Sequence, residues 1–133
     1  NLHLTYLTAD GQKAPIEKAK LVMAGSLPDG CAIRLSPSAR TMGIAEGIES
    51  AMSASILHDD MSVWAATNAN ILTKWQPPFG VVNVVIFGDN DANYTGQAAA
   101  YALAKRLSVG GYGVTILFPP KPDTDWNDVL MGP

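Results

Sequence analysis

Two aspartates separated by a single residue, Asp89 and Asp91, follow a glycine at the end of the run Val81-Val82-Asn83-Val84-Val85-Ile86-Phe87-Gly88. If the chain stays extended there, its period of two puts both carboxylates on the same side, a few ångströms apart. Two anions so placed repel unless a cation lies between them. Hard divalent cations such as Mg²⁺ prefer carboxylate oxygens and keep several waters, which suits a short Asp-x-Asp at a strand end. Taken alone, Gly-Asp-Asn-Asp reads better as a polar turn, because these residue types dominate turns for local reasons. Its weight comes from other acids at matching places. Glu46 follows a short apolar run at 41–45, and Asp125 and Asp128 lie a few residues beyond another at 114–118. Carboxylates distant in sequence that converge in this way are the donors a hard divalent cation takes, so the chemistry to which this set points is binding of an ion such as Mg²⁺.

Bringing such acids together requires strands that end side by side. The run 81–88 is apolar and β-branched, as in a strand buried on both faces. Residues 41–45 form a short strand closed by Glu46-Gly47. A helix is predicted over 48–57, where Ile48, Ala51, Met52, Ser55 and Ile56 recur at helical spacing, and His58-Asp59-Asp60 closes it. Another strand at 62–66 leads to a short helical piece at 70–75 and the breaker Pro77-Pro78. After Asp91, Thr95 is placed to cap a helix over 96–107 with Ala99, Leu103 and Leu107 on one face, and Gly110-Gly111 ends it. A last buried strand at 114–118 runs into Pro119-Pro120 and an extended loop, with a short final helix beginning within 123–128. Strands alternating with helices predict an α/β fold of three layers, a parallel sheet of about four strands with helices on both faces. In such a sheet the carboxyl ends of the strands share one edge, where ligands bind, so Glu46, Asp89, Asp91, Asp125 and Asp128 are expected to face one crevice.

Ahead of this lies a small strand-rich lead-in, residues 1–40, packed on one edge of the sheet. It has a loosely alternating strand at 2–7, a turn at Ala9-Asp10-Gly11, a polar stretch at 13–20, a second turn at 26–30 and a short strand at 31–35. Pro37-Ser38 marks the boundary with a catalytic domain at 41–133. The 133 residues are 47% hydrophobic and 16% charged, which fits a globular chain with a real core. A start at Asn1 rather than methionine reads as a piece of a longer protein. Without an apolar run near 18 residues or a signal pattern, no membrane partner is expected and a soluble, cytoplasmic location is. The lone Cys31 forms no internal disulfide and reads as a small core residue. Residues 1–40 carry a net +2 and residues 41–133 a net −5. An acidic domain is a poor binder of phosphate backbone by itself, so metal or neighbouring domains must supply positive charge if the substrate is nucleic acid.

In order along the chain, Glu46-Gly47-Ile48-Glu49, Asp89-Asn90-Asp91 with Gly96 opening a helix, and Asp125-Trp126-Asn127-Asp128-Val129-Leu130 resemble the Toprim domain shared by primases, topoisomerases and related nucleases. The likeness is greatest to the primases and primase/helicases of phages and mobile elements. It spans about residues 41–130 and extends to the lead-in through Thr5-Tyr6, Asp10-Gly11 and Ala32-Ile33-Arg34-Leu35. The resemblance implies a Rossmann-like Toprim fold with Glu46 as catalytic acid or base and Asp89 and Asp91 as ligands of Mg²⁺ or Mn²⁺. It implies that Asp125 and Asp128 hold a second ion. Replicative bacterial primases carry an aspartate four residues after the glutamate. Here that position is Ser50 and the acid is Glu49, rotated by about 100° on a helix, and Glu49 stands as a further candidate ligand.

The implied function is nucleotidyl transfer that makes RNA primers in phage, plasmid or mobile-element replication. Its partners are a single-stranded DNA template, nucleoside triphosphates, and a zinc-binding or helicase domain in the parent protein. A Toprim nuclease uses the same acids to hydrolyse phosphodiesters, and a non-catalytic module that binds metal or nucleic acid is a third reading, opposed by the intact Glu46. Like charge around Glu46 is expected to raise its pKa until metal binds. Trp64, Trp75 and Trp126 read as packing residues, and His3 and His58 as surface residues without metal-ligand spacing. The ends of a helix explain Lys105-Arg106 well enough, as cations near its C-terminus.

Overall fold

The computed structural model describes residues 3–5, 8–12, 20–22 and 27–132. A two-stranded antiparallel ribbon, β1 (His3–Thr5) and β2 (Lys20–Val22), belongs to the lead-in. From residue 41 the chain runs β3 (Thr41–Ala45), α1 (Ile48–Leu57), β4 (Val63–Ala65), α2 (Ala69–Lys74), β5 (Asn83–Phe87), α3 (Thr95–Val109), β6 (Gly113–Leu117) and α4 (Trp126–Met131). The four strands β3 to β6 form one parallel sheet in the order β4-β3-β5-β6.

Both faces of the sheet are covered. On one, Met42, Ile44, Val84 and Ile86 pack with Leu72 and Trp75 from α2 and its end and with Ala99, Ala100, Leu103 and Leu107 of α3. On the other, Ala45, Val63, Ala65 and Phe87 pack with Ala51 and Ala54 of α1 and with Trp126 of α4. Side chains alternate between the faces along each strand, so β5 serves both cores and its apolar run is nearly continuous. The small residues Ser50, Ala51, Ser53 and Ala54 are the buried side of α1, which lets that helix lie close to the sheet. The result is the three-layer α/β arrangement expected, with helices on both faces. Among the described residues no helix is long and apolar enough to cross a membrane.

The lead-in differs from expectation. Of the strand expected at 2–7, residues 3–5 pair with 20–22, and the rest lies outside the described residues, as do residues 13–19 of the polar stretch and the start of the turn at 26. The strand expected at 31–35 is a single antiparallel bridge, Ile33 to Ala65, with Ile33 N–H donating to Ala65 O at 2.7 Å and Ala65 N–H to Ile33 O at 3.1 Å. Beside the bridge, Arg34 lies over the ring of Trp64, 5.2 Å from its centroid, and Ser36 O accepts from Trp64 Nε1 at 2.8 Å. The bridge covers the outer edge of β4.

Candidate functional site

The strand order decides where a site can be. From β3 the chain goes outward to β4, then crosses back to place β5 on the other side of β3, so β3 and β5 are the neighbours between which the direction of winding reverses. Crevices open at that switch point, beyond the carboxyl ends of the strands. Ala45 pairs with Phe87, so the chain steps from there to Glu46 on one strand and to Gly88 and Asp89 on the other. Glu46 is held by its backbone, its carbonyl accepting from Thr67 N–H at 2.7 Å. Glu49 lies in the first turn of α1, where a carboxylate favours the positive end of the helix; its Oε2 stands 3.7 Å from where a Cβ on Gly47 would be.

The loop after β5 is tied down at several points. Asp91 Oδ2 accepts from Gly96 N–H at 2.7 Å and so occupies the first turn of α3. A Cβ at Gly96 would lie 2.6 Å from Asp89 O and 2.8 Å from Asp91 Oδ2, so only glycine allows the helix to start this close to the acids. Asn90 joins three segments. It accepts from Gln97 Nε2 at 3.0 Å, donates through Nδ2 to Pro119 O at 2.8 Å, and pairs its backbone with the loop after β6, donating to Thr124 O at 3.0 Å and accepting from Asp123 N–H at 2.6 Å.

That pairing carries the late acids to the site, and α4 locks them there. Trp126 is buried and its Nε1 donates to Gly88 O at 3.1 Å. Asn127 Oδ1 accepts from Ser53 Oγ of α1 at 3.1 Å. Asp125 and Asp128 form a reciprocal cap on α4, each accepting the other's backbone N–H at 2.9 Å. The Asp-Trp-Asn-Asp stretch thus contains two capping carboxylates, an anchor to β5 and a tie to α1.

The electrostatics of the cluster centre on Asp89. Burial, followed by the charges of Glu46, Asp125, Asp91 and Asp128, pushes its carboxyl up to about 7. Its Oδ1 is buried and has no hydrogen-bond partner among the described residues. Burial also raises Asp125, against the hydrogen bond from the Asp128 backbone that holds it down. Acids that reach Asp89 from beyond β3, β5 and β6 therefore share one crevice. Among the described residues no three His, Cys, Asp or Glu side chains close into a ready-made metal cage, and the arrangement is open. A cavity of about 410 Å³ lies beside Asp91, Asn93 and Asp123, and one of about 480 Å³ beside Lys121, Thr124 and Asp128. The loops past β4, β5 and β6 each hold a non-glycine residue in the left-handed region, Thr67 (φ 89°), Tyr94 (φ 65°) and Asp123 (φ 61°). Strain of this kind, of order 1–3 kcal/mol each, persists where surrounding structure enforces it and concentrates at functional sites.

Two local expectations are corrected. The cap of α3 is Tyr94, without a side-chain hydrogen bond, and Thr95 is the first helical residue; Asp91 satisfies the helix start that Thr95 was expected to satisfy. His58 is no simple surface residue. Its Nδ1 lies 2.9 Å from Ala54 O, and its ring packs 4.8 Å from Phe87 and 5.6 Å from Trp126. The residues that sequence reasoning missed are Asn90, Gln97 and Thr67. The only signal for Asn90 was its place between two aspartates, and Thr67 carried none.

Residues 41–132 match the family model of the Toprim domain, and the chain belongs to that family. Among solved structures, the fold is similar to the crystal structure of a DNA primase domain from Pseudomonas aeruginosa. The TM-score is 0.61 at 14% sequence identity, and the match covers 97% of this chain and 46% of the other, so this chain spans less than half of that one's length. No curated protein matches the chain.

Proposed function

We propose that this chain is the metal-dependent catalytic core of a DNA primase, part of a longer protein that joins nucleotides into RNA primers on single-stranded DNA in phage, plasmid or mobile-element replication. The observation that carries the proposal is Asp89, a half-buried carboxylate with one buried, unpartnered oxygen, raised by burial and then by acids from three separate strand ends. An all-carboxylate donor set fits Mg²⁺ or Mn²⁺, and an open one fits an ion that keeps waters and takes substrate phosphates as ligands. Asp89 and Asp91 would hold the first ion. Asp125 and Asp128, which already cap α4 through one oxygen each, are the residues that would hold a second ion, and Glu49, beside the Gly47 turn, is a further ligand. Ions held there would supply neutralisation of phosphate charge and activation of an attacking oxygen. Glu46 takes the role of the acid or base that gives or takes a proton. Asp91 keeps the start of α3 in register, and Asn90 with Trp126 holds the late acids against the β5 loop. The similarity of fold to a primase domain favours nucleotidyl transfer over hydrolysis as the use of this crevice.

Calorimetry tests the metal assignment: Mn²⁺ is expected to bind weakly to the wild-type chain, and unchanged affinity in an Asp89→Asn, Asp91→Asn double variant would refute it. In the parent protein, Glu46→Gln is expected to keep the fold and most metal binding while lowering primer synthesis roughly 10²-fold or more, the usual scale of general acid or base catalysis. A folded, fully active Glu46→Gln protein would remove the proton-transfer role.

A further inference from the structure

The acids of this domain are confined to part of its surface. From Met61 to Gly88, and again from Ala92 to Pro122, the sequence contains no aspartate or glutamate, while Lys74, Lys105, Arg106 and Lys121 fall in those stretches. These stretches include α2 and α3, which pack on the same face of the sheet. That layer is therefore cationic in a protein of net charge −3. Lys74 meets Asp29 at 3.5 Å. Arg106 donates to the carbonyls of Thr73 and Trp75 and to Gln76 Oε1, neutral acceptors that leave its charge in place.

Along the outer side of α3 the exposed residues form a row. Tyr94 caps the helix, and Ala98, Tyr101 and Lys105 follow at positions four, seven and eleven, the spacing that keeps residues on one face. Tyr94 is 71% exposed and Tyr101 60% exposed, large values for aromatic rings on a helix whose opposite side is well packed. Tyr101 leans on Phe118, ring centroids 5.8 Å apart, and Phe118 in turn occupies the space where Gly88 lacks a side chain. Tyr94 N–H donates to Asp91 O at 3.1 Å. The row thus begins at the acidic crevice and runs away from it for about 16 Å along the helix axis.

We propose that this face of α3 is a track for single-stranded nucleic acid leading to the crevice, with bases stacked on Tyr94 and Tyr101 and backbone phosphate at Lys105. The inference rests on the primase reading of the crevice. Aromatic rings beside a cation, on a helix that carries no acid of its own, are the chemistry that holds single strands without regard to sequence, and the acid-free layer is where a phosphate backbone can approach this otherwise acidic domain.

Fluorescence anisotropy of a labelled oligothymidine, titrated with the 133-residue chain at low salt in the presence of a chelator, tests the track independently of metal. Tyr101→Ala is expected to weaken binding roughly 5- to 100-fold, from about 1–3 kcal/mol per stacked base. Tyr101→Phe should bind as wild type, because the ring and not the hydroxyl makes the contact. Lys105→Ala should lower the slope of log affinity against log salt by about 0.7. Both positions are exposed, and melting curves confirm the fold of each variant. Binding that is absent in the wild type, unchanged in both alanine variants, or lost in Tyr101→Phe overturns the track, as does self-association that buries Tyr101 in a second copy of the chain. Mn²⁺ binding that depends on Asp89, together with oligonucleotide binding indifferent to α3, would overturn the track and leave the primase reading standing. The opposite pair of results would remove the metal centre instead.

Discussion

Asp89→Asn isolates the electrostatic cost of the crevice. In the folded protein this carboxyl titrates at about 7, against 3.8 for the unshifted group. The native state therefore holds the proton more tightly than the unfolded chain, so stability is greatest below about pH 4, falls as pH rises towards 7, and is level above that. A shift of this size corresponds to at most about 4 kcal/mol at 1.36 kcal/mol per unit. Asp89 is only half-buried, and solvent screening brings the expected penalty to about 2 kcal/mol. Asparagine matches the protonated acid in shape and carries no charge. Without metal at pH 8 the variant should thus melt roughly 6 °C above wild type, while at pH 4, where both side chains are neutral, the two should coincide. Near-saturating Mn²⁺ should reverse the order, because an ion at about 100 times its Kd adds about 2.7 kcal/mol to a protein that binds it and the variant has lost its ligand. Thermal melts at both pH values, with chelator and with Mn²⁺, provide the four comparisons. A variant that is less stable than wild type at pH 8 in chelator, with an unaltered pH dependence, would refute the reasoning.

Gly96→Ala gains helix propensity but forces a methyl group within 2.6 Å of Asp89 O and 2.8 Å of Asp91 Oδ2; net destabilisation of about 1–3 kcal/mol by urea unfolding is expected, the range of overpacking, together with weaker Mn²⁺ binding. Trp126→Phe keeps most of the packing and removes the hydrogen bond to Gly88 O, which should cost about 1–2 kcal/mol in the same assay, since the carbonyl is left buried. Trp126→Ala should cost about 3–5 kcal/mol and, by loosening α4, lower the pKa of Asp89 as Asp125 and Asp128 move away, measurable by NMR titration of its carboxyl.

Much of the fold is legible along the chain because its signals are local. The β-branched run before Gly88 shows a buried strand, the recurrence of Ile48, Ala51 and Ser55 shows a helix, and Gly110-Gly111 shows where α3 stops. The capping pair Asp125 and Asp128 is likewise a local pattern, although the same two residues were notable as candidate ligands. The misreadings fall where a contact formed only in the fold overrides a residue's own preference. Thr95 has the chemistry of a cap, but Asp91 reaches over to satisfy that helix start. Residues 31–35 have strand composition, but only Ile33 meets a free edge. His58 follows a helix as a polar residue would, and the rings of Phe87 and Trp126 then enclose it.

What the sequence determined by itself is the set of elements and the acids at their ends, since dihedral preferences and hydrophobic periodicity act over a few residues. What only the tertiary structure decided is which ends are neighbours. The order β4-β3-β5-β6 sets Glu46 beside Asp89, although 43 positions separate them in the chain. The late acids reach the same crevice through Asn90 bridging to Thr124 and through Trp126 bonding to Gly88. Those contacts join residues dozens of positions apart, and each depends on packing that exists only once the sheet has formed. For the same reason the acid-free α2–α3 layer emerges only in the fold: two separate stretches without carboxylates become one surface when the helices settle on the same face of the sheet.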